Sequence, residues 1–495
     1  MNKSAKIAVG VVVVAGALIT AGAWYTGTQL EGVLGDALVE GNKQLKTAMV
    51  GQQGDASVEL ISLERHVFTS TAHYRVNLQS PEFNQGQLVE VLVVDHIEHG
   101  PFPWSRVKSL KLMPVMVASN AELEKNAFTE RWFAMTNGQS PVAGQFSMGY
   151  DRAAQGRLAF LPIQFEDEKG TFKFSGFTLD AEASGDGEKL QASGNLDTLD
   201  INAKSEEGPV RVALQGFTFD TGGTKGKSGF YLGHSDAKVA SAVVQVVGKP
   251  PIDVKNLVSS SLLQEVEGNL SAQVSYDIGM LSYNGKEIGS SQMLWKFANF
   301  DIASTQTLLQ FYKDKIQPQA QAAAMAGERF IPRISPADQA MVQAEVAKLL
   351  AAKPHIELEK LALKTKNGES HFSLTMDLNN PTSLDQPAPV LLKQTLTQLD
   401  AKLSLSKPMI QDLAIFQANQ AGVTDPATVA QQAKDAADTA GAMAIMLQLG
   451  KVEGDTITSN LHYANDVVDF NGEKMSAQQF AATMMSKAMM LKGGQ

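Results

Sequence analysis

The sequence predicts an α+β protein: an N-terminal transmembrane helix followed by a β-rich body of long antiparallel strands with several packed helices. Three observations carry this. An uncharged apolar run stands near the start, apolar and polar residues alternate from residue 57 onward, and Gly-containing turn signals separate the alternating runs. Successive side chains of a strand point to opposite faces, so period-two alternation marks strands with one face turned inward.

The 495 residues suffice for two to four domains or one large β-rich body. The chain is 44% hydrophobic and 19% charged, so disorder does not dominate it. Lys and Arg number 42 against 52 Asp and Glu, a formal charge of −10. Without a basic stripe such a chain lacks the footprint that phosphate backbones require, which excludes nucleic acid as a partner. There is no cysteine, which excludes thiolate metal sites, a cysteine nucleophile and disulfides.

The first element is the membrane anchor, 1–29. Lys3 and Lys6 precede the apolar stretch 7–27, which contains no charged side chain. About 20 such residues cross a hydrocarbon core of roughly 30 Å. Positive charge on the N-terminal flank places the N-terminus in the cytoplasm and the body outside it. Trp24 and Tyr25 stand where an interfacial aromatic belt would lie. An uncleaved anchor is favoured over a signal peptide cleaved near Ala21-Gly22-Ala23, because the run is long and ends in aromatics. Gly16 with Thr20, and Ala17 with Ala21, would let two such helices approach closely, so a homodimer is one expectation.

Three segments follow: 30–139 (α/β), 140–303 (antiparallel β) and 304–495 (α+β). In the first, Leu30, Leu34, Leu38 and Leu45 give a helix packed on the body. Two long strands come after residue 57, and a helix is expected over 119–136, closed by Asn137-Gly138. The second segment reads as a meander in which Val274, Tyr276 and Ile278, then Met293, Trp295 and Phe297, share faces. In the third, 304–352 is expected to be helical, with Ser335-Pro336 as one helix start. A hairpin turns at Asn367-Gly368, and helices over 407–449 restart at Asp425-Pro426. Strands around 455–473 and a last helix opening with the capping box Ser476-x-x-Gln479 complete the chain.

Candidate chemistry is sparse. His96 and His99 in VVDHIEHGPFPW (93–104) tempt as a metal or acid–base pair. The preceding VLVV and following Gly100-Pro101 make this a strand entering a turn, and on a strand the two histidines face opposite ways. GGTKGKS (222–228) is one residue short of a phosphate-binding loop, and its strand–strand flanks fit a hairpin. Gly233-His234-Ser235-Asp236 sets triad residue types side by side, whereas a working triad converges from separated positions. His66, His73, His355, His371 and His462 lie in expected strands or their approaches, none with a second ligand at metal spacing. The expectation is therefore no catalytic residue, no metal and no cofactor. The Met-rich end, with Phe480, Met484, Met485 and Met489, is expected to pack on the body, or else to offer an adaptable face to a partner.

In order along the chain, GAWYTG (22–27), HVFTS (66–70), DHIEHGPFP (95–103), LKLMPVMVA (110–118), NGES (367–370) and LHYANDVVDFNGEKMS (461–476) resemble the YdgA-like family of gram-negative envelope proteins. The most specific stretch is His99, Gly100, Pro101, Phe102 and Pro103, expected to be structural. The resemblance implies an inner-membrane tether through 7–27, a periplasmic body of unknown function and no assigned catalytic residues. Held at the membrane, the amphipathic strands over 140–302 could curl into an apolar trough, so the expected activity is non-enzymatic binding of a lipid or another amphiphile in the cell envelope. The alternative is an envelope scaffold or assembly protein acting through protein–protein contacts, and a hydrolase comes third.

Overall fold

The computed structural model describes residues 35, 38, 39, 42, 55–79, 87–168, 170–205 and 208–493. The stretch 7–27, with its expected anchor and dimer contact, lies outside them. Among the described residues no helix is long and apolar enough to cross a membrane. The chain divides into two compact units, residues 1–233 with 311–333, and residues 234–310 with 334–495.

Unit 1 opens with β1 (Asp55–Arg65), β2 (Thr69–Gln79), β3 (Val89–His99), β4 (Val117–Leu123), β5 (Val142–Met148) and β6 (Ala154–Phe160). Each pairs antiparallel with the next. The meander is then interrupted. The hairpin β7 (Ile163–Asp167) and β8 (Gly170–Phe174) steps aside, and β6 pairs instead with β9 (Phe177–Ala183). The long β10 (Lys189–Ser205) receives β9 on its first half and β8 on its second, and pairs along its length with β11 (Gly208–Lys225).

The core of this unit follows from the alternation. Ser70, Ala72, Tyr74 and Val76 are the buried positions of β2, and they meet Ala56 and Val58 of β1 and Val89, Val91 and Ile97 of β3. Leu38, at helical backbone, packs on this cluster. Asn42 donates to the Val58 carbonyl (2.9 Å) and accepts from the Val58 N–H (2.8 Å). These two bonds satisfy main-chain groups that point away from β2.

The helix expected over 119–136 is corrected. Residues 117–123 form β4, and helix is confined to Glu130–Met135. The Ala- and Glu-rich stretch has helix propensity, but β3 and β5 both present ladders that only a strand between them can satisfy. Ser119 on that strand also supplies the hydroxyl that a buried Asp95 requires. A five-residue helix, Trp104–Lys108, stands where the sequence suggested only a turn.

Unit 2 carries β12 (Tyr231–Gln245, its first three residues in unit 1), β13 (Ile252–Val266), β14 (Asn269–Tyr283) and β15 (Lys286–Asp301). Its remaining strands are β16 (His355–Lys364), β17 (Glu369–Leu378), β18 (Leu396–Ser406), β19 (Lys451–Glu453), β20 (Thr456–Ala464), β21 (Val467–Phe470) and β22 (Glu473–Ser476). β15 pairs directly with β16, so the strands on either side of residue 303 form one ladder, β13–β14–β15–β16–β17–β18–β20. The two-residue turns Asn284-Gly285 and Asn471-Gly472 have positive φ at both positions. That is the turn whose twist matches a right-handed hairpin.

Helix starts fall where the sequence placed them. Ser335 accepts from the Asp338 N–H, Asp425 from the Thr428 N–H, and Ser476 and Gln479 cap reciprocally. The region 407–449 holds two helices, Lys407–Gln420 and Pro426–Met446. A further helix, Ala388–Thr395, carried no sequence signal beyond its proline.

Candidate functional site

The corner after β3 is built from the main chain outward. The His99 N–H donates to the Phe68 carbonyl (2.8 Å), which fixes the β1–β2 turn beside the end of β3. Gly100 has φ +101° and donates to the Met116 carbonyl (3.1 Å). A side chain at that φ would be strained, so the position suits glycine. The Pro101 carbonyl accepts from Val115 N–H (3.1 Å), and the Pro103 carbonyl accepts from Arg106 and Val107, starting the helix Trp104–Lys108. The Glu98 carboxylate caps that turn, accepting from the Ser105 N–H (3.0 Å) and from the Ser105 hydroxyl. Arg106 reaches down to the Ser147 hydroxyl (3.0 Å). His99, Gly100, Pro101 and Pro103 thus shape the corner, and Phe102 projects from it.

His96 and His99 do not converge. His96 is exposed and pairs across the ladder with Thr71 and Asn120, while His99 is half-buried and opposes Val117. His99 Nε2 lies 2.9 Å from Ser70 Oγ, a separation at which a nucleophile and a base could act. Ser70 is only 1% exposed, however, so a substrate carbonyl has no route to it. The pair secures the end of β3 against β2, and burial pushes the His99 imidazole below its ordinary pKa.

Among the described carboxyls of this unit, Asp95 is the one whose titration is moved far. Burial raises it to about 6, against the opposing pull of the Ser119 hydroxyl (2.6 Å) and the His96 charge. Burial and the Asp95 charge together push the Tyr74 phenol upward, and its hydroxyl has no hydrogen-bond partner among the described residues. Three further histidine–carboxylate contacts are His73–Glu124 (2.9 Å), His355–Asp377 (2.6 Å) and His462–Asp400 (2.7 Å). The last two are directly opposed residues of neighbouring strands. Among the described residues no three His, Asp or Glu side chains group as a metal site. The stretch 222–228 runs from β11 into a hairpin loop closed by Gly226 N–H to Phe230 O, and His234 to Asp236 lie along one strand.

A second constellation has no local sequence signature. The NGES turn is held by Asp412, which accepts from Thr365 Oγ1 (2.6 Å), Asn367 N–H (2.9 Å) and Asn367 Nδ2 (2.6 Å). A Cβ on Gly368 would overlap Ser406 Oγ and lie 2.7 Å from Met409 N, so this glycine serves close approach. Ser370 Oγ accepts from the Ser406 N–H (2.9 Å). The turn is thereby seated on the N-terminus of helix Lys407–Gln420.

The feature with most bearing on function is a face of the unit 2 sheet. Directly opposed residues share a face, so one row across six strands reads Val274, Trp295, Leu358, Leu374, Ala401, Leu461. The neighbouring row reads Ala272, Phe297, Ile356, Met376, Leu399, Tyr463, and on the other side Tyr276, Met293, Leu361, Phe372 and Leu403 follow. In all three rows only Leu358 and Tyr463 are buried, and Tyr276 and Leu361 are exposed. At about 4.8 Å per strand the face is roughly 24 Å wide.

The family described as "Bacterial protein of unknown function (DUF945)" matches residues 1–478, and the chain belongs to it. It is 26% identical over 501 residues to Protein YdgA of Escherichia coli (strain K12), covering 99% of this chain and 98% of that protein. It is 23% identical over 490 residues to the Uncharacterized protein YihF of the same organism, with 96% and 98% covered. An uncharacterized protein of Haemophilus influenzae is 23% identical over 324 residues, covering 62% of this chain and 85% of that one. No solved structure matches the chain.

Proposed function

We propose that this member of the family is an inner-membrane-tethered periplasmic protein that binds a lipid or another amphiphile along the half-buried apolar face of its unit 2 sheet. The observation that carries the reading is the set of three in-register apolar rows, in which Leu358 and Tyr463 are buried, Tyr276 and Leu361 are exposed and the others are half-buried. A soluble body usually buries such a face, because each exposed large apolar side chain forfeits about 1.5–3 kcal/mol of transfer free energy. Acyl chains supply the missing cover without specific polar partners. The uncharged stretch 7–27 supplies the tether, with its lysines on the cytoplasmic side.

The test uses the full chain in native membranes with a photo-crosslinking benzoylphenylalanine at Tyr276 or Leu361. Adducts of lipid mass at both positions, and none at exposed Lys474, support the reading. Adducts of protein mass alone point to the scaffold, and unmodified peptides overturn amphiphile binding at this face.

One observation favours protein contacts as a second reading. Met485 and Met489 are exposed, while Phe480 stacks edge-on against Phe470. Lys487 Nζ lies 3.4 Å from the Gln448 carbonyl, which ties the last helix to the turn that follows the exposed Ile445 and Met446. Under this reading the double variant Met485→Lys, Met489→Lys abolishes a dimer or partner mass in native mass spectrometry and leaves crosslinks at Tyr276 intact.

A further inference from the structure

The loops at one end of unit 1 form an apolar tip with a basic flank, and we infer that this tip docks on the surface of an anionic bilayer. The antiparallel register decides which loops share an end. β1 meets β2 with Arg65 opposite Ser70, β3 meets β4 with His99 opposite Val117, and β5 meets β6 with Met148 opposite Ala154. The turns after β1, β3 and β5 therefore rise together. They are stitched by His99 N–H to Phe68 O and by Met116 N–H to Met148 O (2.8 Å each).

The first two of these connections hold a dense set of exposed apolar side chains, and the third adds Tyr150. Phe68 is 75% exposed, Trp104 63%, Leu110 83% and Met113 76%, with Phe102 and Leu112 beside them. The corner motif, HVFTS and LKLMPVMVA, far apart in sequence, thus converge on one surface. Leu110 also has φ +57°, a conformation that costs a leucine folding free energy which Asn or Gly would avoid. A leucine that contributes nothing to the core and strains the backbone suits a contact made outside the fold.

Charge selects the occupant. From His99 to Asn120 the chain holds Arg106, Lys108 and Lys111 and no acid, in a protein of net charge −10. Lys108 Nζ lies 5.6 Å over the Trp104 ring. Aromatic and aliphatic tips flanked by lysines whose stems can follow the apolar surface match a headgroup–acyl boundary. Anionic lipids add attraction for the cations. Chain length agrees: Leu38, packed on the β1–β3 core, is eleven residues from residue 27, at most about 40 Å of chain. This argument rests on the tether reading of 7–27.

The absence of cysteine allows single labelling sites in the full chain. The variants Leu112→Cys, Val13→Cys and Lys227→Cys carry an environment-sensitive fluorophore and are mixed with vesicles of phosphatidylcholine alone or with about 30% phosphatidylglycerol, with spin-labelled lipid as quencher. The expected result is a blue shift and quenching at position 112, strongest with phosphatidylglycerol, and neither at 227. Adding Lys108→Glu and Lys111→Glu removes most of the quenching at 112. Quenching at 13 without quenching at 112 leaves the tether and overturns the tip. Quenching at 112 without 13 supports the tip and removes the tether, and neither site quenched overturns both. Equal quenching on both vesicles overturns the anionic surface, and a shift that requires another protein overturns the bilayer as partner.

Discussion

At the scale of single residues, Asp95 sets a pH dependence whose sign is fixed by burial. Its carboxyl titrates at about 6 in the fold and near 3.9 in an unfolded chain. Between those values the folded state holds a proton that the unfolded state has released. The stability Asp95 contributes is therefore whole below about pH 4, declines as pH rises, and is lost above about pH 6. Asp95→Asn keeps an acceptor for the Ser119 hydroxyl and removes the charge. Relative to the natural chain it should gain about 2–3 kcal/mol in unfolding free energy between pH 4 and pH 8, read from denaturant titrations at both. A gain independent of pH would mean that Asp95 is not the titrating group. Leu110 gives a second residue-level expectation. Leu110→Asn should stabilise the fold by about 1 kcal/mol, because Asn tolerates the left-handed conformation, and should weaken vesicle quenching at position 112.

At the scale of elements, the hairpin β16–β17 shows what local sequence conveys and where it stops. The alternation of Ile356, Leu358, Leu361 and Leu363 against Phe372, Leu374 and Met376 made both strands legible. Its Asn-Gly turn is not the positive-φ form seen at Asn284-Gly285, since neither Asn367 nor Gly368 has positive φ. It is shaped from 45 residues away by Asp412, through a contact that no window of sequence displays. Hydrogen bonds from Thr365 and Asn367 outweigh burial and hold the Asp412 carboxyl below its ordinary range. Its support is thus present above the usual carboxylate pKa and lost as pH falls through the lowered value. Asp412→Ala should cost about 1–3 kcal/mol at neutral pH, seen as a lower denaturant midpoint with unchanged slope, because three donors lose their acceptor. Capping boxes were legible for the reason that they are local, the Ser476–Gln479 pair among them. Residues 119–136 were misread because composition favours helix there, while the decisive partners, β3 and β5, come from elsewhere in the chain. The corner motif was legible as a turn, but its apolar exposure depends on two other loops and could be seen only once the register placed them together.

At the scale of the whole molecule, the two kinds of sheet surface should differ in how they open. The core of unit 1 buries ten of the described residues of β1–β5 in one cluster, including Tyr74 and Ile97. In unit 2, the 15- and 16-residue strands β13, β14 and β15 contain Leu270 as their single buried apolar side chain. Main-chain pairing alone gives little cooperative protection, because opening such a strand exposes little new apolar surface. Amides of β13 and β14 should therefore exchange with deuterium by local opening, faster than those of β2 and β3 in the ligand-free protein. Under the proposed amphiphile binding, a ligand seated on Val274, Tyr276 and Trp295 would change that balance, since it would bind the closed sheet and not the opened strand. Hydrogen exchange followed by mass spectrometry, before and after delipidation, should show β14 and β15 slowed by bound lipid and β2 unchanged. If β14 is as protected as β2 without lipid, and added lipid alters neither, then the face is stable when open to water and has no need of a ligand to cover it.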